Sequence, residues 1–215
     1  MSAISPNPRM TTSPPNNQAK PALTIRVHLT DGSSHSFVAV GETAARKVWD
    51  TVDPARLFVP PRIVIGSEHS KAVFVSCEIT RVDFIQDLFQ CWEFPGGYSD
   101  IVELTEGEFR QHAHLDKPEL MVKRAQPTPV GDLLVSFVRL YMRGGQRVFA
   151  MIEAPVKLPE SQSFMQFMFS KNSIHMRLRG GGTGILNLAN LAGYTVYPGV
   201  AQIPGDSWLA EPEHA

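Results

Sequence analysis

Apolar and polar residues alternate along the chain from residue 22 onward. The apolar members of the first alternating stretch are Leu23, Ile25, Val27 and Leu29. This period of two is that of a β-strand with one buried face. Asp31-Gly32 favours a tight hairpin turn, and residues 37–40 follow it as a second apolar run. The pattern therefore predicts a β-hairpin over residues 22–40.

A helical period replaces the alternation after this hairpin. Thr43 is a fair helix N-cap, and the residues that follow it at helical spacing form an apolar stripe of Ala44, Ala45, Val48, Trp49 and Val52. Beyond Pro60-Pro61, residues 63–65 and 72–84 are rich in strand-forming side chains. Residues 22–85 are thus predicted to form a strand-strand-helix-strand-strand module.

The same order returns about 113 residues later. Residues 135–142 and 148–152 predict two strands around Gly144-Gly145, and a second apolar helix with Phe164 and Met168 follows Pro159. Two further strands complete the module over residues 132–198. Self-similarity at one offset is evidence about architecture. We therefore predict an α+β, mainly β chain of two related antiparallel-sheet modules that arose by internal duplication.

Three further segments complete the predicted organisation. Residues 1–21 contain five prolines and no long apolar run, so they predict a disordered N-terminal tail rather than a secretory signal. Residues 86–131 form a divergent connecting segment, in which Ile101 to Leu104 fits an edge strand. Residues 199–215 have no period and predict a C-terminal tail.

Composition and charge limit the classes of function that this chain can have. A formal net charge of -1 gives no bulk attraction to nucleic acid or anionic lipid, so nucleic-acid binding is possible but not favoured. Two cysteines are too few for a disulfide framework, and the chain has no run of about 18 apolar residues that could span a membrane. These features predict a cytoplasmic protein without membrane contact. No phosphate loop, dinucleotide fingerprint or catalytic triad motif is recognisable, which favours a non-enzyme over an enzyme but leaves catalysis open, and we expect no cofactor.

A glycine-rich hairpin is one candidate binding site. Arg177 and Arg179 leave a strand on the same face and precede Gly180 and Gly181, whose backbone N–H groups can cradle an anion. Arg179-Gly180 followed by an apolar strand resembles the second signature of Sm-like RNA-binding proteins, although the preceding strands lack the aspartate and asparagine pattern of their first signature. The arginines and the glycine turn, together with this resemblance, give a small anion or nucleic-acid binder as an alternative function.

A cluster of potential metal ligands is a second candidate site. Its members are Glu108, His112, His114 and Asp116. Imidazole and carboxylate groups are ligands of zinc and iron, so the cluster gives a metal-dependent hydrolase as a second alternative. The spacing is not specific, because His-x-His suits a strand whereas Glu108 and His112 share a face only on a helix.

The uneven patterning of the two modules supports the function that we rank first. The second module is apolar on both faces, so part of it is expected to face a partner. The predicted interface residues are Phe137, Phe164, Phe167 and Met168. The sequence therefore favours a non-catalytic binding or regulatory module that acts through protein contacts and can associate as a homodimer.

Overall fold

The computed structural model describes residues 21–86, 100–117, 120, 134–155, 161–197, 207–208 and 210, with the side chains at 21–22 and 161–164 excepted. Most of both predicted tails and of the connecting segment lies outside these residues. The described strands are β1 (Pro21–Leu29), β2 (Ser34–Val40), β3 (Arg62–Gly66), β4 (Lys71–Val75), β5 (Ile79–Ile85), β6 (Asp100–Leu104), β7 (Leu134–Met142), β8 (Arg147–Ala154), β9 (Ser173–Arg177), β10 (Thr183–Asn187) and β11 (Leu191–Tyr197). The described helices are α1 (Glu42–Thr51), α2 (Glu106–His112) and α3 (Ser161–Phe169).

Nine of these strands form one mixed sheet in the order β11-β7-β8-β6-β9-β10-β5-β1-β2. Strands β3 and β4 form a separate hairpin. The expectation of a mainly β chain with few helices is confirmed. The prediction that each half forms its own antiparallel sheet is corrected, because β10 of the second half pairs with β5 of the first and β6 runs parallel to β9. Alternation defines the faces of a strand but not which edge it pairs with, so the sequence did not reveal this junction.

Strand pairing has the same register in the two halves. The first hairpin pairs Thr24 with Val38, and the hairpin of the second half pairs Phe137 with Met151. The order of elements is also the same, since each half has two strands, a helix, two strands and a last strand. A 3-10 turn precedes that last strand in both, at Ser76–Glu78 and at Leu188–Asn190.

An irregularity in the sheet also occurs at the same place in each half. The pairing of β1 with β5 slips by one residue between His28 and Leu29. The pairing of β7 with β11 slips between Leu191 and Gly193. Such bulges are specific local features rather than random defects.

Two apolar cores lie on opposite faces of the sheet. The first core is covered by α1 and the β3–β4 hairpin, and the second by α3. Ile185 belongs to the first core and its neighbour Leu186 to the second, and successive strand residues point to opposite faces. Helix α2 packs on the other face of the second half, where Phe109 contacts Phe149. No helix in the described ranges is long and apolar enough to cross a membrane.

The turn between β7 and β8 packs against the turn between β1 and β2. Gly144 has a φ of 80°, and a Cβ added there would overlap the backbone carbonyl of Thr30. Gly145 has a similar φ of 82°, but nothing lies within 4 Å of its Cβ position. The first glycine thus permits the close approach of the two halves, whereas the second serves only its own turn.

Gly144→Ala should therefore destabilise the protein by about 3 kcal/mol, since backbone strain and overpacking add. The matched variant Gly145→Ala should lose only about 1 kcal/mol, because it carries the backbone cost alone. Urea unfolding of both variants measures the difference. Equal losses for the two alanines would show that the contact between the turns is not tight.

Candidate functional site

A strand position that is filled in the second half is open in the first. In the second half, β6 lies between β8 and β9, with five antiparallel pairs to β8 and one parallel pair to β9. The equivalents of β8 and β9 in the first half are β2 and β3. Within the described part of the chain, no strand lies between those two. We call the position beside the outer edge of β2, on the side away from β1, the open strand position.

Strand β2 has the character of an edge that accepts another strand. Its sequence SHSFVAV contains no Lys, Arg, Asp, Glu or Pro. Natural proteins use such residues to protect exposed edges from pairing. Val38 is 52% exposed and Val40 61% exposed on the same strand. The outer edge of β2 therefore combines available backbone groups with an apolar surface.

The β3–β4 hairpin carries exposed valines of its own. Val64 pairs with Val73 across the hairpin, and both side chains are exposed, as are those of Val59 and Val75. The opposite side of the hairpin faces the first core, where the ring of Phe74 packs against Phe37 with 5.8 Å between centroids. The hairpin is thus anchored from one side and presents valines on the other. Contiguous exposed apolar residues often mark an interaction surface.

An apolar cavity of about 270 Å³ lies under the hairpin. Its walls come from β1, α1, β3, β5 and the segment between α1 and β3. The lining residues are Ile25, Val27, Val48, Thr51, Val52, Leu57, Ile63, Val64, Ile65, Gly66, Val82 and Phe84. Thr51 supplies the polar side chain of this lining, and its Oγ1 donates to backbone carbonyls of α1. The cavity suits an apolar side chain.

A network of buried charges lies on the opposite face of the sheet. His28 Nε2 is 2.9 Å from Asp83 Oδ2, and Arg81 contacts the other oxygen of Asp83. Arg81 Nη1 also donates to Glu103 Oε1 at 2.6 Å, which ties β5 to β6. Arg81 and Asp83 are both buried. Buried ions require such pairing, so the network fixes the relative position of these strands.

The protonation of Asp83 follows from its neighbours. Burial raises the pKa of Asp83, but the hydrogen bond to His28 and the charge of Arg81 outweigh burial and hold it below the ordinary value. Burial likewise lowers the pKa of Arg81, whereas Asp83 and Glu103 raise it to a net value above normal. Asp83 and Arg81 thus form a charged pair at neutral pH.

The glycine-rich hairpin pairs its arginines with carboxylates. Arg177 Nε lies 3.0 Å from Asp100, and Arg179 Nη2 lies 3.2 Å from Glu108. Gly180 and Gly181 stand in the turn between β9 and β10, with Gly181 at a φ of 91°. An anion at this turn would compete with both carboxylates for the two cations.

The structure gives the proposed metal ligands other contacts. Glu108 forms a capping box with Thr105, and the hydrogen bond from the Thr105 backbone lowers the pKa of Glu108. Asp116 pairs with Arg110, and the ring of His112 stacks on Phe137. In the described ranges, no group of three or more His, Cys, Asp or Glu side chains is placed to hold a metal ion. His114, like His112, is exposed, and it lies within the turn after α2 with a φ of 54°.

The four predicted interface residues occupy different environments. Met168 is buried in the second core, and Phe137 is half-buried on the face that α2 covers. Phe167 is 56% exposed and carries Lys171 over its ring. The side chain of Phe164 lies outside the described side chains. Of the three residues whose side chains are described, Phe167 is the one that is mostly exposed, and it lies on the outer side of α3.

Sequence reasoning missed the valine surface and the ionic network. Val38 and Val40 were assigned to a strand of the first module, but their strand was not recognised as an edge. The absence of any charge from β2 is the signal that could have identified it. The network joins side chains that are far apart in sequence. A single sequence gives no signal of contacts between such residues.

Comparison of the chain with protein-family models, with curated proteins and with solved structures finds no match.

The ionic network predicts a particular pH dependence. Asp83→Asn should lower the free energy of unfolding at pH 7 by about 3 kcal/mol, because it leaves Arg81 buried with one partner fewer. Since the folded pKa of Asp83 is lowered, its contribution is present above about pH 4 and is lost as pH falls further. Urea unfolding at pH 7 and near pH 3 should show the gap between wild type and variant shrinking in acid.

The exposed pair Arg46–Asp50 on α1 offers a matched control. Asp50→Asn should change stability by less than about 0.5 kcal/mol at either pH, since such helix-surface pairs are weak. A gap for Asp83→Asn that stays constant between the two pH values would contradict the assigned charge state.

Proposed function

We propose that this protein is a non-catalytic binding module that captures an extended segment of a protein partner as an added strand at the open strand position. The observation that carries the proposal is the contrast between the halves: β6 fills this position in the second half, and β2 has an uncharged free edge in the described part of the first. Strand addition supplies affinity through backbone hydrogen bonds, and side-chain pockets supply selectivity.

Internal duplication supports the comparison of the halves. The repeated hairpin register, the bulge before the last strand and the 3-10 turn preceding it coincide at nearly one sequence offset. Three independent similarities between the halves are difficult to obtain by chance. Bulges in particular tend to be conserved among related proteins. On this basis each half is a copy of one module, and an element filling a position in one copy indicates what fits the other.

Strand β6 indicates the chemistry of the ligand. Its sequence is DIVEL, and Ile101 is only 3% exposed because it enters the second core. The partner segment is accordingly extended, free of proline and apolar at the residues facing the hairpin. Its inward side chain would face the first core, as Ile101 of β6 faces the second. Selectivity then depends on the size of that side chain.

Anion binding by the glycine-rich hairpin has less support than strand capture. Arg177 and Arg179 each face a carboxylate at ion-pair distance. Metal-dependent hydrolysis likewise lacks an observation in its favour.

A charge on the β2 edge should block strand capture. The probe is a fluorescent synthetic peptide with the sequence of residues 98–106, which contains β6. Val38→Lys should weaken its binding by about tenfold or more, because lysine on an edge opposes pairing. Val38→Thr keeps a β-branched side chain and should change the Kd by less than about threefold. Fluorescence anisotropy gives the Kd, and circular dichroism checks the fold. Equal affinity for the lysine variant and wild type would refute the site.

The exposed aromatic of α3 provides a test of the alternative surface. Phe167→Asp changes the second half alone, so peptide affinity should stay within about twofold of wild type if the open strand position is the site. If Phe167→Asp abolishes binding and Val38→Lys does not, the interface lies on α3.

A further inference from the structure

The apolar cavity under the β3–β4 hairpin is larger than the spaces that a packed core normally leaves. Its volume is about 270 Å³, whereas voids in protein cores seldom exceed the size of one water molecule. Among the described residues, no charged side chain lines it, and the hydroxyl of Thr51 already donates to the carbonyls of Lys47 and Val48. The walls therefore offer water little to bind, and apolar cavities of this kind take apolar molecules.

A second cavity, of about 410 Å³, adjoins the apolar one and has a different character. Arg56 and Arg62 line the second cavity but not the first. The two cavities share four wall residues, which are Thr51, Val52, Leu57 and Ile63. A dry apolar space thus lies next to a space whose walls carry two guanidinium groups.

The charges of the second cavity favour an anion. Both arginines are exposed, and among the described residues no carboxylate lies within ion-pair distance of either guanidinium group. Asp53 is the acidic residue of this lining, and its Oδ1 accepts from the backbone N–H of Ala55. The arginines of the glycine-rich hairpin, in contrast, are both held by carboxylates. An anion in the second cavity would therefore meet two cations without breaking an ion pair.

The hairpin that covers the apolar cavity can admit a ligand without disrupting the large sheet. In the described sheets, β3 and β4 pair with each other and with no strand of the nine-stranded sheet. The hairpin is attached by core side chains such as Phe74 and by hydrogen bonds from Ser76 to the carbonyls of Pro60 and Pro61 at its base. Elements with few such attachments are among those that open most readily.

We propose that the two cavities together bind a small amphipathic carboxylate, with its alkyl tail in the apolar cavity and its carboxylate on Arg56 and Arg62. An apolar cavity of about 150 Å³ accommodates benzene, so a cavity nearly twice as large accommodates a chain of roughly eight carbons. Guanidinium groups bind carboxylates through paired hydrogen bonds, and a few such groups at an apolar pocket orient its ligand. The inference is independent of strand capture, because none of the described lining residues belongs to β2.

Octanoate is the probe that tests the proposal, in an NMR titration of the ¹⁵N-labelled full-length protein. It should shift amides of α1 and β3 with a Kd below about 1 mM. Octanol has the same tail without the charge and should bind about fivefold more weakly or less tightly still, and octylammonium should not bind measurably. Octanoate that fails to shift these amides at about 3 mM, or octanol that binds as tightly, overturns the assignment.

Charge variants test the position of the carboxylate. Arg56→Gln combined with Arg62→Gln should weaken octanoate binding by about tenfold and leave octanol within about twofold, because the arginines contact the head group alone. Arg143→Gln combined with Arg147→Gln removes the same charge from exposed positions outside both linings and should change neither affinity. Equal octanoate affinity for wild type and the first double variant would show that the arginines do not hold the ligand.

A larger side chain at Val48 tests the position of the tail. Val48 is half-buried on α1 and lines the apolar cavity but not the second one. Val48→Phe should occupy part of the space, so the affinities for octanoate and octanol should both fall by about tenfold, while the Tm of the free protein should not fall. Unchanged octanoate binding would place the tail elsewhere, and a lower Tm would show that the space is already filled. Either result contradicts the proposal.

The same measurements keep this proposal separate from strand capture. Val38→Lys should bind octanoate as wild type does, and the Arg56→Gln, Arg62→Gln double variant should bind the β6 peptide as wild type does. Loss of octanoate binding in Val38→Lys with an intact fold would place the ligand at the β2 edge and overturn the cavity assignment. Failure of the β6 peptide to bind, with octanoate binding intact, would leave the cavity proposal standing and refute strand capture.

Discussion

The pairing of strand edges is the constraint on which this architecture depends. An edge presents a row of backbone N–H and C=O groups, and a buried edge without partners is costly. Strand β5 has partners on both sides, β1 from its own half and β10 from the other. This second pairing makes one sheet from two modules. The cores then occupy opposite faces, because each half is covered by its own helix on a different side.

Buried charges and close-packed turns reinforce that junction. Arg81 on β5 donates a hydrogen bond to Glu103 on β6, so this ion pair links the connecting-segment strand β6 to the first half. Asn187 and Asn190 of the second half both donate to the backbone carbonyl of Ile79 at the start of β5. Polar networks of this kind specify one arrangement of strands rather than adding much stability. They explain how a nine-stranded sheet with strands from both halves keeps one register.

The sequence predicted local structure better than it predicted assembly. The alternation at Leu23, Ile25 and Val27 and the Gly144-Gly145 turn located the hairpins, since these signals depend on neighbouring residues alone. Ile101 to Leu104 was expected at an edge and lies between two strands, because periodicity does not specify a partner. Burial of Met168 and exposure of Val38 depend in the same way on which elements meet in space. The uncharged sequence of β2 could have indicated an edge, but the candidate site itself could not be predicted, because it is defined by a strand that the described residues place in one half and not in the other.

Hydrogen–deuterium exchange of β2 tests the central claim most directly. The claim is that the outer edge of β2 is unpaired in the free chain and becomes paired when a strand binds. Alternate amides of residues 34–40, those that point away from β1, should exchange rapidly in the free protein and become protected when the β6 peptide saturates it. If these amides are already protected in the free monomer, or stay unprotected with peptide bound, the open strand position is not a binding site.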